Sequence, residues 1–388
     1  MENTYMIDQQ EKKVEYLELI YDLIFVYLIG RNNSLLHYIE NGFVSAGTFL
    51  TYVLCSLAII QIWNFSTFYI NLYGRNGKRD HVFLFINMYL LYHMADGISS
   101  GWRASVDQFC IAWFLILVNI GIQHLIEMRN HRAEPWILEQ LKRKALIIIG
   151  EASLILVHML VYHFSGISIA YVPILFGLAA TLFSHDVNSL IPVDFSHLTE
   201  RAMLYVVFTF GEMIISITGY FEDRISLNTL YFSGMAFLIV AGLFLSYEVF
   251  YDRIVDRDIT TNGTGYMMIH VFLIFALNNI SVALDFMRKE EVAILPKTLF
   301  ITGSFILYFV FLFLADIYAK KKCACNLKYH EFIGVLGLSF LILMIVFREQ
   351  MALNIAISVV YVFAIFMVIY RKGKSAKSAS AEAGSAAY

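Results

Sequence analysis

Charge is what this 388-residue chain has least of: 15% of its residues are Asp, Glu, Lys or Arg, where a soluble domain carries roughly a quarter. With 59% hydrophobic residues, water cannot be its main solvent. Cysteine is scarce too. Cys55, Cys110, Cys323 and Cys325 lack the even, spaced framework of a small oxidised domain, so disulfides are not expected to hold the fold. Cys323 and Cys325 with His330 offer too few ligands for a closed zinc site, and read as reduced cytosolic cysteine and an ordinary histidine. No phosphate-binding Gly-rich loop, no dinucleotide fingerprint and no His-Glu-x-x-His helix occurs, which disfavours ATP-driven pumping and zinc proteolysis. The opening residues up to Lys13 lack a basic segment followed by a short apolar run and a cleavage site, so no removable signal peptide is expected. No cofactor, no resident metal and no nucleic-acid partner is expected. Membrane lipids and a small solute or ion are the expected partners, and oligomeric state is unreadable.

Long apolar runs are what is present. A spanning helix needs about 20 mostly apolar residues, and runs of that kind lie near 14–30, 43–71, 81–99, 106–127, 145–163, 167–184, 201–221, 228–250, 266–286, 297–317, 330–347 and 351–370. The runs are continuous and do not alternate, which excludes a membrane β-barrel. The expected fold is all-α, a polytopic transmembrane bundle of about twelve spans. Counting Lys and Arg by loop puts 21 on one side and 7 on the other. The positive-inside rule then places both termini in the cytoplasm and the protein in the plasma membrane. Residues 1–13 read as a cytosolic N-terminal segment. Residues 372–388, rich in Lys, Ser, Ala and Gly, read as a disordered cytosolic tail.

An internal duplication is also expected. His81-Val82-Phe83-Leu84 recurs as His270-Val271-Phe272-Leu273, offset by 189. In the same frame Asp96 maps to Asp285 and Glu127 to Asp316, while Asp22 precedes Glu212 by 190, one residue out of that frame. Two six-helix halves, 14–185 and 186–371, would be related in parallel by an axis along the membrane normal.

The first span reads ELIYDLIFV from Glu18 to Val26, and from His197 the chain reads HLTERAMLYVVFTFGEMI. The first segment resembles the ELFFDLVFV pattern of the bacterial low temperature requirement A family. The second is similar to that family's His-x-x-Glu-Arg run followed by Gly-Glu, which makes His197, Glu200 and Arg201 motif residues. Trp63, Thr67 and Asn71 resemble the family's tryptophan-rich second span. Tyr21 stands where Phe is usual, Met203 where Gly is common, and the second span has fewer tryptophans. The resemblance implies a multi-pass bacterial membrane protein tied by name to growth in the cold, a phenotype and not a mechanism.

Ionisable residues inside spans are expensive, about 2.5 to 3.5 kcal/mol for a central charge on insertion scales. Asp22 and Glu212 both fall near the expected midplane. They read as coupling carboxylates that bind and release a proton or cation, or as hydrogen-bonded glue between helices. Glu18, four residues before Asp22, shares its helix face or reaches the head groups. Glu151 and His158 share a face seven residues apart, as a proton relay or as a histidine satisfied by a neighbouring helix. Gln61, Asn64, Asn278 and Asn279 are further polar groups within spans. His197, Glu200 and Arg201 are placed where a cytosolic loop enters the seventh span, where a helix-start acid and a salt bridge are the plain explanation. The expected function is a secondary permease with proton or cation coupling. The alternative is an intramembrane enzyme acting on a lipid or isoprenoid through Asp22, Glu212 and a histidine.

Overall fold

The computed structural model describes residues 12–98, 102–183, 191–221, 226–323 and 327–385. Among them the chain is helical throughout: α1 Tyr16–Asn33, α2 Ala46–Tyr73, α3 Lys78–Asp96, α4 Trp102–Asn130, α5 Pro135–Ser165, α6 Tyr171–Phe183, α7 Phe195–Ile217, α8 Leu227–Val249, α9 Thr264–Arg288, α10 Ile294–Leu314, α11 Leu327–Val346 and α12 Met351–Ser385. One two-residue hairpin, β1 Ile39–Glu40 and β2 Phe43–Val44, is the described sheet. Each expected span falls on one of these helices. Their ends follow local chemistry: Pro135 opens α5, where its missing N–H costs nothing, and Gly166 in the left-handed region (φ 70°) closes it. Ser226 caps α8 by accepting from the Thr229 amide at 3.0 Å.

Seven helices are long and apolar enough to cross a membrane, within 46–73, 106–130, 135–165, 227–254, 264–288, 294–318 and 351–374. The other five divide by cause. Tyr171–Phe183 and Glu331–Val346 are apolar but shorter. α1, α3 and α7 each hold three or four formal charges, including Glu18 and Asp22 on α1 and Glu200, Arg201 and Glu212 on α7.

Side-chain placement is that of a protein solvated by lipid. Val82, Phe85, Tyr89, Leu146, Leu160, Val335, Leu338 and Val360 face outward, while Asn32, Gln61, Asn64, Thr67, Asn278 and Ser358 are buried. Lipid tails reward no burial of leucine, so the helix contacts fall to polar and small groups.

Backbone contacts divide the chain into two units: Met1–Leu35 with Leu50–Tyr205 and Arg257–Met267, and Leu36–Phe49 with Val206–Asp256 and Met268–Tyr388. Three chain segments build each unit. In the first, α4 packs on α3 and α5, α1 on α3, and α5 on α6. In the second, α12 packs on α8 and α11, and the hairpin is pinned by the Ala293 amide donating to the Gly42 carbonyl at 2.6 Å. Phe43 rests edge-on against Phe286 and Phe300 there.

Three boundaries depart from the sequence expectation. α7 begins six residues early, at Phe195, which puts Arg201 inside a helix. α5 begins at Pro135 and draws in Lys144. α12 continues as helix through Ser385, into the stretch expected to lack order. Alanine and lysine are strong helix formers, so backbone hydrogen bonding runs on beyond the packed part. Near the end of its packed part, Lys372 Nζ lies 2.7 Å from Asp316 Oδ2. Residues 1–11 of the N-terminal segment, 386–388 of the tail, and Cys325 lie outside the described residues.

A buried charge cluster as the candidate functional site

Helical spacing sets up the site. Glu18 and Asp22 lie four apart on α1, and His197 and Arg201 lie four apart on α7, so each pair shares one face. Within the first unit the two faces meet. His197 Nε2 is 3.2 Å from Glu18 Oε2, while Arg201 grips Asp22 through Nη2 on Oδ1 and through Nε on Oδ2 at 3.3 Å. Arg201 Nε also approaches Glu18 Oε2, at 3.5 Å. The order of the rungs, Glu18 to His197 and then Asp22 to Arg201, means that α1 and α7 run in the same direction.

All four side chains are sealed from solvent: Asp22 and Arg201 at 0%, His197 at 1% and Glu18 at 4% exposure. Burying an ion costs several kcal/mol, which only close pairing and further hydrogen bonds offset. α2 supplies some of those. Trp63 Nε1 donates to Asp22 Oδ1 at 2.8 Å, and the Tyr21 hydroxyl pairs with Ser66 at 2.8 Å. Aromatic rings wall the site, with Trp63 and Tyr205 centroids 4.7 Å apart. Two carboxylates nonetheless face one guanidinium, and Arg201 Nη1 is buried without a hydrogen bond among the described residues.

The protonation of His197 can be derived from its neighbours. The Asn71 amide is oriented by the Asp194 backbone: its Nδ2 donates to the Asp194 carbonyl at 2.8 Å, and its Oδ1 accepts from the Asp194 amide at 3.1 Å. Asn71 Nδ2 therefore also faces His197 Nδ1, 3.0 Å away, as a donor. Nδ1 must accept, so the ring is neutral with its proton on Nε2, the nitrogen nearer Glu18, though neither Nε2 nor Glu18 Oε2 completes a hydrogen bond among the described residues.

Asp194 anchors this end of α7 by capping it, its Oδ1 accepting from the His197 amide at 3.0 Å. Its Oδ2 takes the Lys12 amide at 3.0 Å. The Lys12 ammonium then donates to the carbonyls of Ile70 and, at 2.8 Å, Gly74 at the end of α2, where the helix dipole favours a cation. Loss of hydration pulls this ammonium below the usual lysine range, with Glu18 acting the other way.

The remaining expected residues scatter. Glu151, fully buried on α5, accepts from Gln61 Nε2 at 3.1 Å. His158 Nδ1 accepts from the Ile169 amide at 3.2 Å, so these two have separate partners. Asn64 is buried in the first unit, and Asn278 in the second. Glu200 is partly exposed. Glu212 is partly exposed, belongs to the second unit, and has no hydrogen bond or ion pair among the described residues. The partner of Asp22 is thus Arg201. Sequence reasoning missed it by counting Arg201 among loop charges, although the matched four-residue spacings of Glu18/Asp22 and His197/Arg201 were there to be read.

Each of the three motif segments contributes to this cluster: Glu18 and Asp22 from the first, Trp63 and Asn71 from the second, His197 and Arg201 from the third. No curated protein matches the chain. A family model described as bacterial low temperature requirement A protein (LtrA) matches residues 13–368, a span that holds all three segments and nearly all the described helices. The chain therefore belongs to the LtrA family of multi-pass membrane proteins.

Proposed function

We propose that this protein is a twelve-span secondary permease of the plasma membrane, with both termini in the cytoplasm, in which the Glu18–His197 pair carries the coupling proton. One observation carries the reading: a sealed cluster with one carboxylate more than it has cations, beside a histidine whose Nε2 lies 3.2 Å from that surplus carboxylate. Asp22 and Arg201 neutralise each other and set the geometry. Glu18 without a proton leaves the cluster with net charge -1, and with one leaves it neutral. A change of one buried charge is worth several kcal/mol between two arrangements of packed helices, enough to bias which is populated. Glu212, partly exposed and without a hydrogen bond or ion pair among the described residues, is the second carboxylate in this reading, and Asn278 lies in the same unit as Glu212.

The parallel run of α1 and α7 supports twelve spans, since an even number of reversals must separate them. So does the pairing of charges on α1 and α7, which removes the objection that these helices are too polar to cross. The offset of 189 between His81 and His270 supports two parallel six-helix halves.

The test is a deletion strain complemented with wild type or Glu18→Gln and grown warm and cold, followed by untargeted measurement of intracellular solutes and lipids. Glu18→Gln should be produced at wild-type levels yet leave the solute pool of the deletion strain uncorrected. Full correction by Glu18→Gln would remove the coupling role, and a changed lipid class with unchanged solutes would remove the permease.

A further inference from the structure

We infer that Glu151 is a second proton-binding site of the first unit, a carboxyl that shares its proton with the amide of Gln61 and exchanges it through a cleft among α2, α4, α5 and α6. The other buried carboxylates of this unit each have a cation beside them among the described residues: Arg201 for Glu18 and Asp22, and Arg79 for Asp80 and Glu127. Glu151 is sealed as deeply, at 0% exposure, and has no such partner among them. α2 and α6, which flank it, contain no Asp, Glu, Lys, Arg or His. On α5 itself Lys144 and His158 each lie seven residues away, about 10 Å along the axis, too far to pair with it. On α4, Gly121 lies against Ile148 and Ile149. That contact leaves His124 about one turn toward Lys144 and Asp107 about four turns the other way. A carboxylate with no counter-charge in such a setting takes up a proton.

Hydrogen bonding asks for the same proton. Gln61 Nε2 donates to Glu151 Oε2 at 3.1 Å, while Glu151 Oε1 and Gln61 Oε1 are both buried with no hydrogen bond among the described residues. A proton on Glu151 Oε1 turns one orphan acceptor into a donor, and the amide already bonded to this carboxyl holds the other. A metal ion would need about four or more ligands, and the pair offers two. Gly177 of α6 closes over the pair, where a Cβ would run into both groups. The cleft supplies the path. Asn64, Ile148 and Thr181 line it, and they lie one helical turn from Gln61, Glu151 and Gly177 respectively. It therefore ends one turn short of the pair on three helices, and it runs toward Lys144 and His124, the end that carries the α4–α5 connection. Its empty space of about 450 Å³ including the mouth has room for several waters at about 30 Å³ each. Asn64 Oδ1 is buried there without a hydrogen bond, and water can donate to it.

The experiment is infrared difference spectroscopy on full-length protein in neutral detergent at neutral pH. Wild type minus Glu151→Gln should show the C=O band of a carboxylic acid, which moves to lower frequency when the solvent is changed to D2O. Gln61→Leu should keep that band and raise its frequency, because the acid loses its amide partner. Thr181→Trp, which fills the cleft, and Asn64→Leu, which removes its polar lining, should each slow the D2O shift about tenfold or more, since exchange must then wait for local opening of the helices. If Glu151→Gln does not fold, the band is assigned in wild type by its loss on treatment with dicyclohexylcarbodiimide. There the carboxyl O–H adds across a C=N bond and the acyl group migrates to nitrogen, which leaves an N-acylurea that peptide mass spectrometry should locate on Glu151. A spectrum without the acid band would overturn the proton site. A D2O shift as fast in both cleft variants as in wild type would overturn the path and return Glu151 to a structural bond between helices. Both readings are made on the protein alone, so they stand or fall apart from transport and from Glu18.

Discussion

At the level of single residues, Asp22 and Arg201 are a pair that neither can leave. With both at 0% exposure, removing one partner strands the other charge in a medium that cannot hydrate it, at a cost of about 3–5 kcal/mol. Asp22→Asn should therefore lower unfolding stability in detergent by about that amount, and Arg201→Gln likewise. The double variant Asp22→Asn with Arg201→Gln should lose less than the sum, because two neutral amides can bond to each other. Additive losses in thermal or denaturant unfolding would mean that the pair is not the unit described. Glu18→Gln belongs to a different class, since Glu18 is the surplus acid and its amide keeps the shape. A sharper check concerns the proton on His197. In ¹⁵N spectra of histidine-labelled protein, the resonances lost in His197→Gln should be those of an unprotonated Nδ1 and a protonated Nε2. An imidazolium pattern at neutral pH would break the argument that Asn71 fixes the tautomer.

At the level of helices, close approach decides which small residues matter. A Cβ built on Gly177 of α6 would run into Gln61 Nε2 and the carboxylate of Glu151, whereas one on Gly211 of α7 meets nothing within 4 Å. Gly177→Ala should separate the Gln61–Glu151 pair and cost about 1–3 kcal/mol through overpacking and lost hydrogen bonding. Gly211→Ala should be neutral or gain up to about 1 kcal/mol from helix propensity. Equal melting of the two variants would show that α6 does not lie as close to α2 and α5 as described. Helices of this kind were legible because apolar run length is a strong signal. Every apolar run from 14–30 to 351–370 falls on a helix, and even the 13-residue α6 was placed to within a few residues. What could not be read was where polar sequence continues a helix. The run HLTER looks like a loop entry by hydropathy, yet His197 and Arg201 have partners on α1, and α7 starts six residues earlier and carries Arg201 inside. The same error hid Lys144. Hydropathy prices a charge as if alone, and only the fold reveals its partner or the lack of one.

At the level of the whole molecule, the question is which way the chain is threaded. Taking Arg201 and Lys144 out of the loop count leaves 19 Lys and Arg on one side against 7 on the other, so the asymmetry survives the correction and still supports the proposed cytoplasmic termini. α2, with 28 residues, is about 42 Å long, more than the roughly 30 Å of hydrocarbon it must cross. If α2 spans as proposed, residues just before and just after it lie on opposite sides. Glu40 at the tip of β1 and Lys78 at the start of α3 are both exposed, as is Lys374 on α12. Neighbouring positions suit the purpose less well: Asn41 sits at φ 53°, where cysteine is strained, and Gly373 packs against Val249 and Arg253. The native Cys55, Cys110 and Cys323 are buried, so Cys325→Ala provides a background of low reactivity. On that background, Glu40→Cys should react in intact cells with a membrane-impermeant maleimide. Lys78→Cys and Lys374→Cys should react only after the membrane is opened. Labelling of Lys78→Cys but not Glu40→Cys from outside would invert the orientation, and labelling of both would mean that α2 does not span. Opposite behaviour of Lys78→Cys and Lys374→Cys would break the even count of crossings between them, and with it the parallel six-helix halves.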